Sequence, residues 1–593
     1  MPFEQSFEII KKQLGEEKFN KALNIKNLYP SKIEEKKDTK WCQTIKIIGI
    51  NPRITKTYWN TLIYALSFHE EGIHLMPLFE SGDGSIYVQN SWKLNNDFLD
   101  ENLIKLGYET AEKQLKLIIN IMHCAGKIVG FDALPHVDNF SEIVLLNPNL
   151  FEWIKLSEDK TRQLSTDEID YNQISKEVQE IIIKELNLNE NIFDENELLR
   201  EDVIFPQNKN SFEIRMKLRK DIREKGIEPI PVTEHIPLRP ILFDKIETSD
   251  NENWAKFYVP NQDNTSIIIG SNTPYKFYEI DRNGYPIKNK INNQVWNYII
   301  NKFKTFQSDF NFDFLRADMA HCQLSHAHNE EAKDFETIEF WKQLKKEIQA
   351  NKPYFGTFAE AFYGNYYIDG ISDMINKNFD IVLGDMNYKL LDENYINYID
   401  DFLNPFREHI PFYPCISIFT NDSDIEENNK YYASNEENLL RVFFGLFLNL
   451  PSYMGMGFET RDINPKKENN YTNKYVKKQK EEYLIGDNKY FFYKFKELEK
   501  IYNELKPIIN NFPLKQLYDE DNKLSLNWSY KKNNEEYLFI ANLNKNSDQI
   551  KIKTDKDIEK IIFSTNKINS NKNEKYIQFK YLHIYDFAII KLA

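Results

Sequence analysis

"DFLRADMAHC" (313–322) reads as a buried strand that carries charge. Phe314, Leu315, Ala317 and Met319 are apolar, yet Arg316 stands two residues before Asp318. Charged groups inside a core are costly unless they are paired or in use. Alternation along a strand puts residues 316 and 318 on one face. A guanidinium on that face would favour the ionised form of Asp318. Asp313, at the start of the strand, reads as structural.

Working outward, short apolar runs alternate with longer helical patterns. Runs at 45–50, 73–79 and 128–132 precede this stretch, and runs at 355–360, 380–384, 415–419 and 451–456 follow it. Helical stretches lie between them at 53–69, 110–125, 335–350 and 436–449, and Val295, Tyr298, Ile299, Phe303 and Phe306 recur at helical spacing. Near-continuous apolar runs suit parallel strands covered on both faces. Eight such units predict an α/β fold, a (β/α)8 TIM barrel, ahead of a doubly wound open sheet. Five segments are expected: a helical extension over 1–40, a first part of the barrel over 41–137, and an insertion over 138–290 after the third strand. A second part of the barrel over 291–514 holds most of the candidate carboxylates, and a C-terminal antiparallel β-sandwich domain covers 515–593.

The composition narrows the function classes. With 593 residues, 41% hydrophobic and 14% aromatic, the chain can build a large core and an accessory module. A formal charge of −15 argues against nucleic acid and acidic membrane surfaces as partners. No apolar run is long enough for a membrane span, and the charged start lacks the apolar centre of a secretory signal. Cys42, Cys124, Cys322 and Cys415 are scattered, which suits reduced thiols of a cytoplasmic protein.

In a barrel of this kind the C-terminal ends of the strands surround one pocket. Those ends carry Asp132, Asp318 and Glu360, with Asp422 and Asp424 just after the seventh strand. Carboxylates gathered in one pocket repel and shift one another's pKa values, which stability alone does not select. Retaining glycoside cleavage does use such a set, with one carboxylate as nucleophile and one protonated carboxyl as acid. Phe358, Ala359, Ala361 and Phe362 flank Glu360, and apolar surroundings favour the protonated acid. The run "HCQLSHAHNEE" (321–331) fits no zinc spacing.

"FDFLRADMAH", "FAEAF" and "IFTNDSDI", on the fourth, fifth and seventh expected strands, resemble three signature regions of the α-amylase family, glycoside hydrolase family 13. The resemblance implies Asp318 as nucleophile, Arg316 as its companion, Glu360 as acid/base and Asp424 as the transition-state-stabilising aspartate. "GFDALPH" (130–136) resembles the family's first region and places Asp132 at its aspartate, and "SIYVQNSW" (85–92) places Tyr87 under the reacting sugar. Typical members read Asn-His-Asp where this chain has Asn421-Asp422-Ser423-Asp424, and Asn-His where it has His136-Val137. His136 and His321 are then the histidines able to contact sugar, with Asp422 beside them. The missing asparagine removes a usual calcium ligand, and neither metal nor cofactor is expected.

Stretches such as "LNPNLFEWIKL" (146–156), "PYKFYEIDRNGYP" (274–286) and "YMGMGFE" (453–459) look similar to maltosyltransferases within that family. The implied activity is transfer of maltosyl or glucosyl units between 1,4-linked glucans through a covalent glycosyl-enzyme. Plain hydrolysis, a maltosyl-phosphate-dependent transferase and a non-catalytic glucan- or partner-binding protein are the alternatives. The implied partners are maltooligosaccharides, phosphate or a sugar phosphate, with the insertion as a candidate homodimer face. Aromatic platforms favouring a sugar acceptor over water would come from Tyr363, Tyr366, Tyr367, Trp92 and Phe419.

Overall fold

The computed structural model describes residues 2–593 except 82–85, 166, 189–191, 195–197, 207–208, 232–241, 250–251, 259–271, 281–285, 321–339, 361–377, 384–412, 419–433, 461–487 and 574. Asp422, Asp424, His321, Tyr363, Tyr366, Tyr367 and Phe419 therefore lie outside the described residues.

Eight parallel strands follow one another around a ring. They are β1 (Lys46–Ile50), β2 (Gly72–Leu75), β3 (Ile128–Ala133), β4 (Phe314–Ala317), β5 (Gly356–Ala359) and β6 (Ile381–Val382). β7 is formed by Tyr413–Pro414 and Ile416–Ile418 on either side of Cys415, and β8 is Ser452–Gly455. Each strand pairs with the next, and β8 pairs with β1. The interrupted β7 closes the ring: its first piece pairs with β6 and its second with β8. This is a (β/α)8 barrel, and the eight apolar runs of the sequence are its strands.

Alternation divides the strand residues into two sets. Ile48, Ile50, Ile73, Leu75, Val129, Phe131, Leu315 and Ala317 point outward into one core shared with the surrounding helices. Ile47, Ile128, Phe314, Phe358, Ile381 and Tyr453 form a second cluster inside the barrel, with Ile45 beside them. Large rings fit there because glycines face them. A Cβ at Gly130 would sit 2.4 Å from the Phe314 ring, and one at Gly49 would sit 2.0 Å from the Tyr453 hydroxyl. Below this layer Trp41 donates its indole N–H to the Tyr354 carbonyl at 2.8 Å, and the segment around it covers the N-terminal mouth.

The helices begin where the sequence supplies caps. Thr57 caps α1 (Tyr58–Leu66), Thr110 caps α2 (Ala111–Cys124), Asn292 caps α3 (Asn293–Phe310) and Ser434 caps the later helix Asn435–Phe447, each side chain accepting a backbone N–H of the first turn. The expected helix over 53–69 is broken at Lys56, whose φ of 73° ends a short turn before Thr57 starts the next helix. Asp313 accepts from the Val129 N–H at 2.8 Å and meets Nε2 of His123 at 3.1 Å, tying α2 to two strands far from the open end.

A long insertion leaves the barrel after β3. It holds helices Tyr171–Glu185 and Ser211–Glu224, and short antiparallel pairs such as Trp153–Lys155 with Ile227–Pro229. Arg215 anchors it by a 2.9 Å ion pair to Asp138 and a bond to the Phe140 carbonyl, both buried. At the other end of the chain, Leu514–Leu517, Ser525–Lys532, Glu535–Asn542, Phe587–Leu592 and Ile558–Ser564 form a five-stranded antiparallel sheet. It packs on the barrel through Phe443 and Phe587, whose rings stack at 4.3 Å. Two helices at the start of the chain, Phe3–Leu14 and Glu16–Leu23, pack Phe7 and Phe19 near Trp59. Among the described residues no helix is long and apolar enough to cross a membrane.

Candidate active site

The register of β3 and β4 sets Arg316 beside Asp132, and that of β4 and β5 sets Ala317 beside Ala359. Residues two apart on a strand share a face. Asp132, Arg316, Asp318 and Glu360 thus rise together from the barrel interior to its C-terminal rim.

Arg316 connects the three acids. One guanidinium nitrogen donates to Asp132 at 3.1 Å and also to Asp318, while the other meets Glu360 at 2.6 Å. The strand ends are knitted by backbone bonds from Asp318 N–H to the Ala133 carbonyl and from Glu360 N–H to the Ala317 carbonyl. Met319, at φ 43°, lies in the left-handed region that a non-glycine residue seldom adopts. That turn aims its N–H at the second Glu360 oxygen, 2.8 Å away. Strain of this kind persists where the surroundings impose it, commonly at functional sites.

His136, on the short strand His136–Asp138, brings Nε2 to 3.5 Å from Asp318. The ring also meets the backbone of Tyr87. Burial pushes its pKa down to about 4, so the ring is neutral at physiological pH. Tyr87 is half-buried on the hairpin loop after β2 and lies over Arg316, 5.7 Å from guanidinium carbon to ring centroid.

The electrostatics differ from the sequence reading in two respects. Arg316 was expected to keep Asp318 ionised, but its charge is divided among three carboxylates. Burial and the adjacent Glu360 together push Asp318 well above the usual carboxylate range, and Arg316 only partly opposes them. Burial also works against charge on Asp132, yet Arg316 and His74 outweigh it and hold that group low. Glu360 itself sits in an ionic environment rather than the apolar one its neighbours suggest, because Phe358 turns down into the barrel while Arg316 meets the carboxylate.

One residue of the site escaped the sequence reading, and one was misplaced by it. His74, on β2, lies in the interior layer directly beneath the acids. Its Nε2 is 3.5 Å from Asp132, and its Nδ1 is 2.9 Å from the hydroxyl of Tyr453 on β8. Burial lowers the His74 pKa, so this ring is also neutral. Trp92, offered as an acceptor platform, is not in the pocket. Its indole packs edge-on against Phe79 and Phe303 on the outside of the barrel and donates to the Tyr298 hydroxyl at 3.0 Å.

No protein-family model matches the chain, and no curated protein matches it in sequence. Solved structures do match in shape. An α-amylase from Geobacillus thermoleovorans, complexed with acarbose, superposes with a TM-score of 0.50 at 12% identity, covering 93% of this chain and 99% of that one. A debranching enzyme from Nostoc punctiforme gives 0.50 at 12% over the same shares. An isomaltulose synthase from Protaminobacter rubrum gives 0.52 at 11%, again over 93% and 99%. The likeness is one of fold, and it spans barrel, insertion and C-terminal sheet alike.

Proposed function

We propose that the chain is a retaining α-glucan-active enzyme of the α-amylase family, moving maltosyl or glucosyl units from one glucan to another. The observation that carries this reading is Arg316, which binds Asp132, Asp318 and Glu360 together at the open end of the barrel. Asp318 and Glu360 share the Arg316 guanidinium, so the two carboxyls stand side by side rather than across a wide gap. Inverting enzymes keep that space, and retaining enzymes do not. The fold it shares with an α-amylase bound to acarbose supports the same substrate class.

In this reading Asp318 Oδ bonds to the anomeric carbon while the bond from that carbon to the glycosidic oxygen breaks. Glu360 gives its proton to the departing oxygen. Asp318, whose carboxyl is held above the usual range in the empty site, must therefore be ionised when the bond breaks. A sugar hydroxyl in contact with Asp318 supplies a new partner for the carboxylate and favours that form. In the second half Glu360 removes a proton from the incoming hydroxyl, whose oxygen bonds to the anomeric carbon as the ester to Asp318 breaks. Tyr87, His136 and Asp132 line the sugar, and Asp424 supplies the third acid of the family pattern.

Incubation of the protein with maltotetraose, alone and with phosphate, followed by chromatography, tests this. Longer together with shorter oligosaccharides are expected. A sugar 1-phosphate would make the enzyme a phosphorylase, and glucose and maltose alone a hydrolase. Unchanged α-glucans, or full activity in Asp318→Asn, would overturn the assignment.

A further inference from the structure

Outside the barrel a second cavity, of about 730 Å³, runs between α2 and α3 beneath the insertion. That volume falls within the ligand-pocket range of roughly 300–1,000 Å³. One wall is a single stripe of α3: Gln294, Asn297, Tyr298, Asn301, Thr305 and Asp309 all line it. At 1.5 Å per residue the stripe extends about 22 Å, so the site is elongated rather than round. Trp92 and Tyr298 give it an aromatic end, and Phe79, Phe306 and Phe310 an apolar floor.

The polar groups select the ligand. Amides and a hydroxyl dominate the stripe, and each of them both donates and accepts. Glu112, Asp194 and Asp309 stand against Lys116 and Lys302, so both signs are present and the formal excess is a single negative charge spread along the groove. A polyanion or polycation has no complement here. Lys302 places its ammonium 5.8 Å from the Trp92 ring centroid and 5.5 Å from that of Tyr298. Glu201 acts on this ammonium by charge, with no ion pair between them among the described residues, which leaves the ammonium able to donate to a neutral acceptor in the cavity. A long, uncharged chain dense in hydroxyls and with apolar faces meets all of these demands.

We propose that this groove binds a stretch of α-glucan chain remote from the reaction site, which rests on the reading of the barrel as glucan-active. The hairpin after β2 joins the two places, since Tyr87 lies over Arg316 and Trp92 opens on the groove. A polymer held by the groove stays near the barrel mouth between turnovers, which raises the effective concentration of its free end.

Calorimetric titration of the full-length Asp318→Asn protein with maltoheptaose is the test. Two sites per chain are expected, falling to one when Asn297→Ala and Asn301→Ala are added. Both positions are exposed on α3, where alanine favours the helix. Thr305→Arg, which puts a guanidinium in mid-groove, is expected to abolish the same site. With Asp318 intact, the ratio of turnover on amylose to turnover on maltotetraose falls about tenfold in either variant. A single site in all three proteins overturns the groove, and maltotetraose turnover then leaves the reaction assignment standing. A site lost in the α3 variants, in a protein that turns over no glucan, supports the groove and overturns the reaction. Absence of any maltoheptaose binding overturns both.

Discussion

The hydroxyl of Tyr453 reaches Nδ1 of His74 at 2.9 Å, and it does so through the space left by the missing side chain of residue 49. Tyr453 on β8 crosses over β1 to touch β2. The contact ends a chain that runs from Tyr453 through His74 to Asp132 and Arg316. Buried groups of this kind orient one another, and a defect at one end misplaces the charge at the other.

Gly49→Ala is therefore expected to destabilise the fold by about 1–3 kcal/mol, the usual range for overfilling a packed core. Chemical denaturation measures it. Adding Tyr453→Phe removes the atom nearest the new methyl and is expected to restore part of the loss. No restoration would mean that the damage lies elsewhere in the barrel.

Arg316→Lys keeps one positive charge but not the fork that reaches three acids. Turnover on maltotetraose is expected to fall on the order of 100- to 1,000-fold, in line with loss of a preorganised charge at a reaction centre. A change of less than threefold would show that the bridge is structural only.

Asp318→Asn is expected to stabilise the empty protein while abolishing turnover. The native carboxyl holds its proton well above the usual range, so the unfolded chain releases a proton that the native state keeps. Stability from this group is complete at low pH and is lost as pH rises through the native pKa. The gain in Asn should be about 0.5–2 kcal/mol at pH 8 and smaller at pH 4, as is common when a strained site is neutralised. Thermal unfolding at the two pH values gives the comparison.

His136 predicts the opposite slope. The unfolded chain takes up a proton near pH 6.5, which the buried native ring refuses until about 4. Stability is then lost as pH falls through that window, by about 3 kcal/mol for this group. His136→Asn should flatten the pH dependence between 7 and 4 relative to the parent, read from denaturant midpoints. Parallel curves for the two proteins would contradict the neutral, buried state.

The barrel was legible because each strand buries both faces, so an apolar run marks it wherever it falls; even the two-residue β6 showed in "DIVLG". Asp132, Asp318 and Glu360 were legible because a carboxylate at the end of such a run is conspicuous. His74 was not, because in "IHLMPLF" a single histidine among apolar neighbours looks like core. Only the register linking β2 to β3 shows that it stands under Asp132. Trp92 misled for a related reason. Five residues after Tyr87, it follows a bend in the hairpin that turns the chain from the barrel mouth to its outer wall. Arg316 was recognised as a partner of Asp318, but its division among three acids depends on its strand pairing with one 184 residues earlier and with the strand that follows.

That division leads to an expectation about which molecules the pocket would admit. One guanidinium faces three carboxyl groups, and the two histidines beside them are uncharged at neutral pH. Three carboxyl groups against one guanidinium leave these described residues rich in acid at the rim. Coulomb repulsion at such distances, poorly screened inside a barrel, weighs against uronic acids and phosphorylated sugars as occupants of the reacting position. A neutral glucose unit meets no such opposition, so the proposed function predicts ordinary α-glucans at both donor and acceptor sides in preference to phosphate-bearing substitutes.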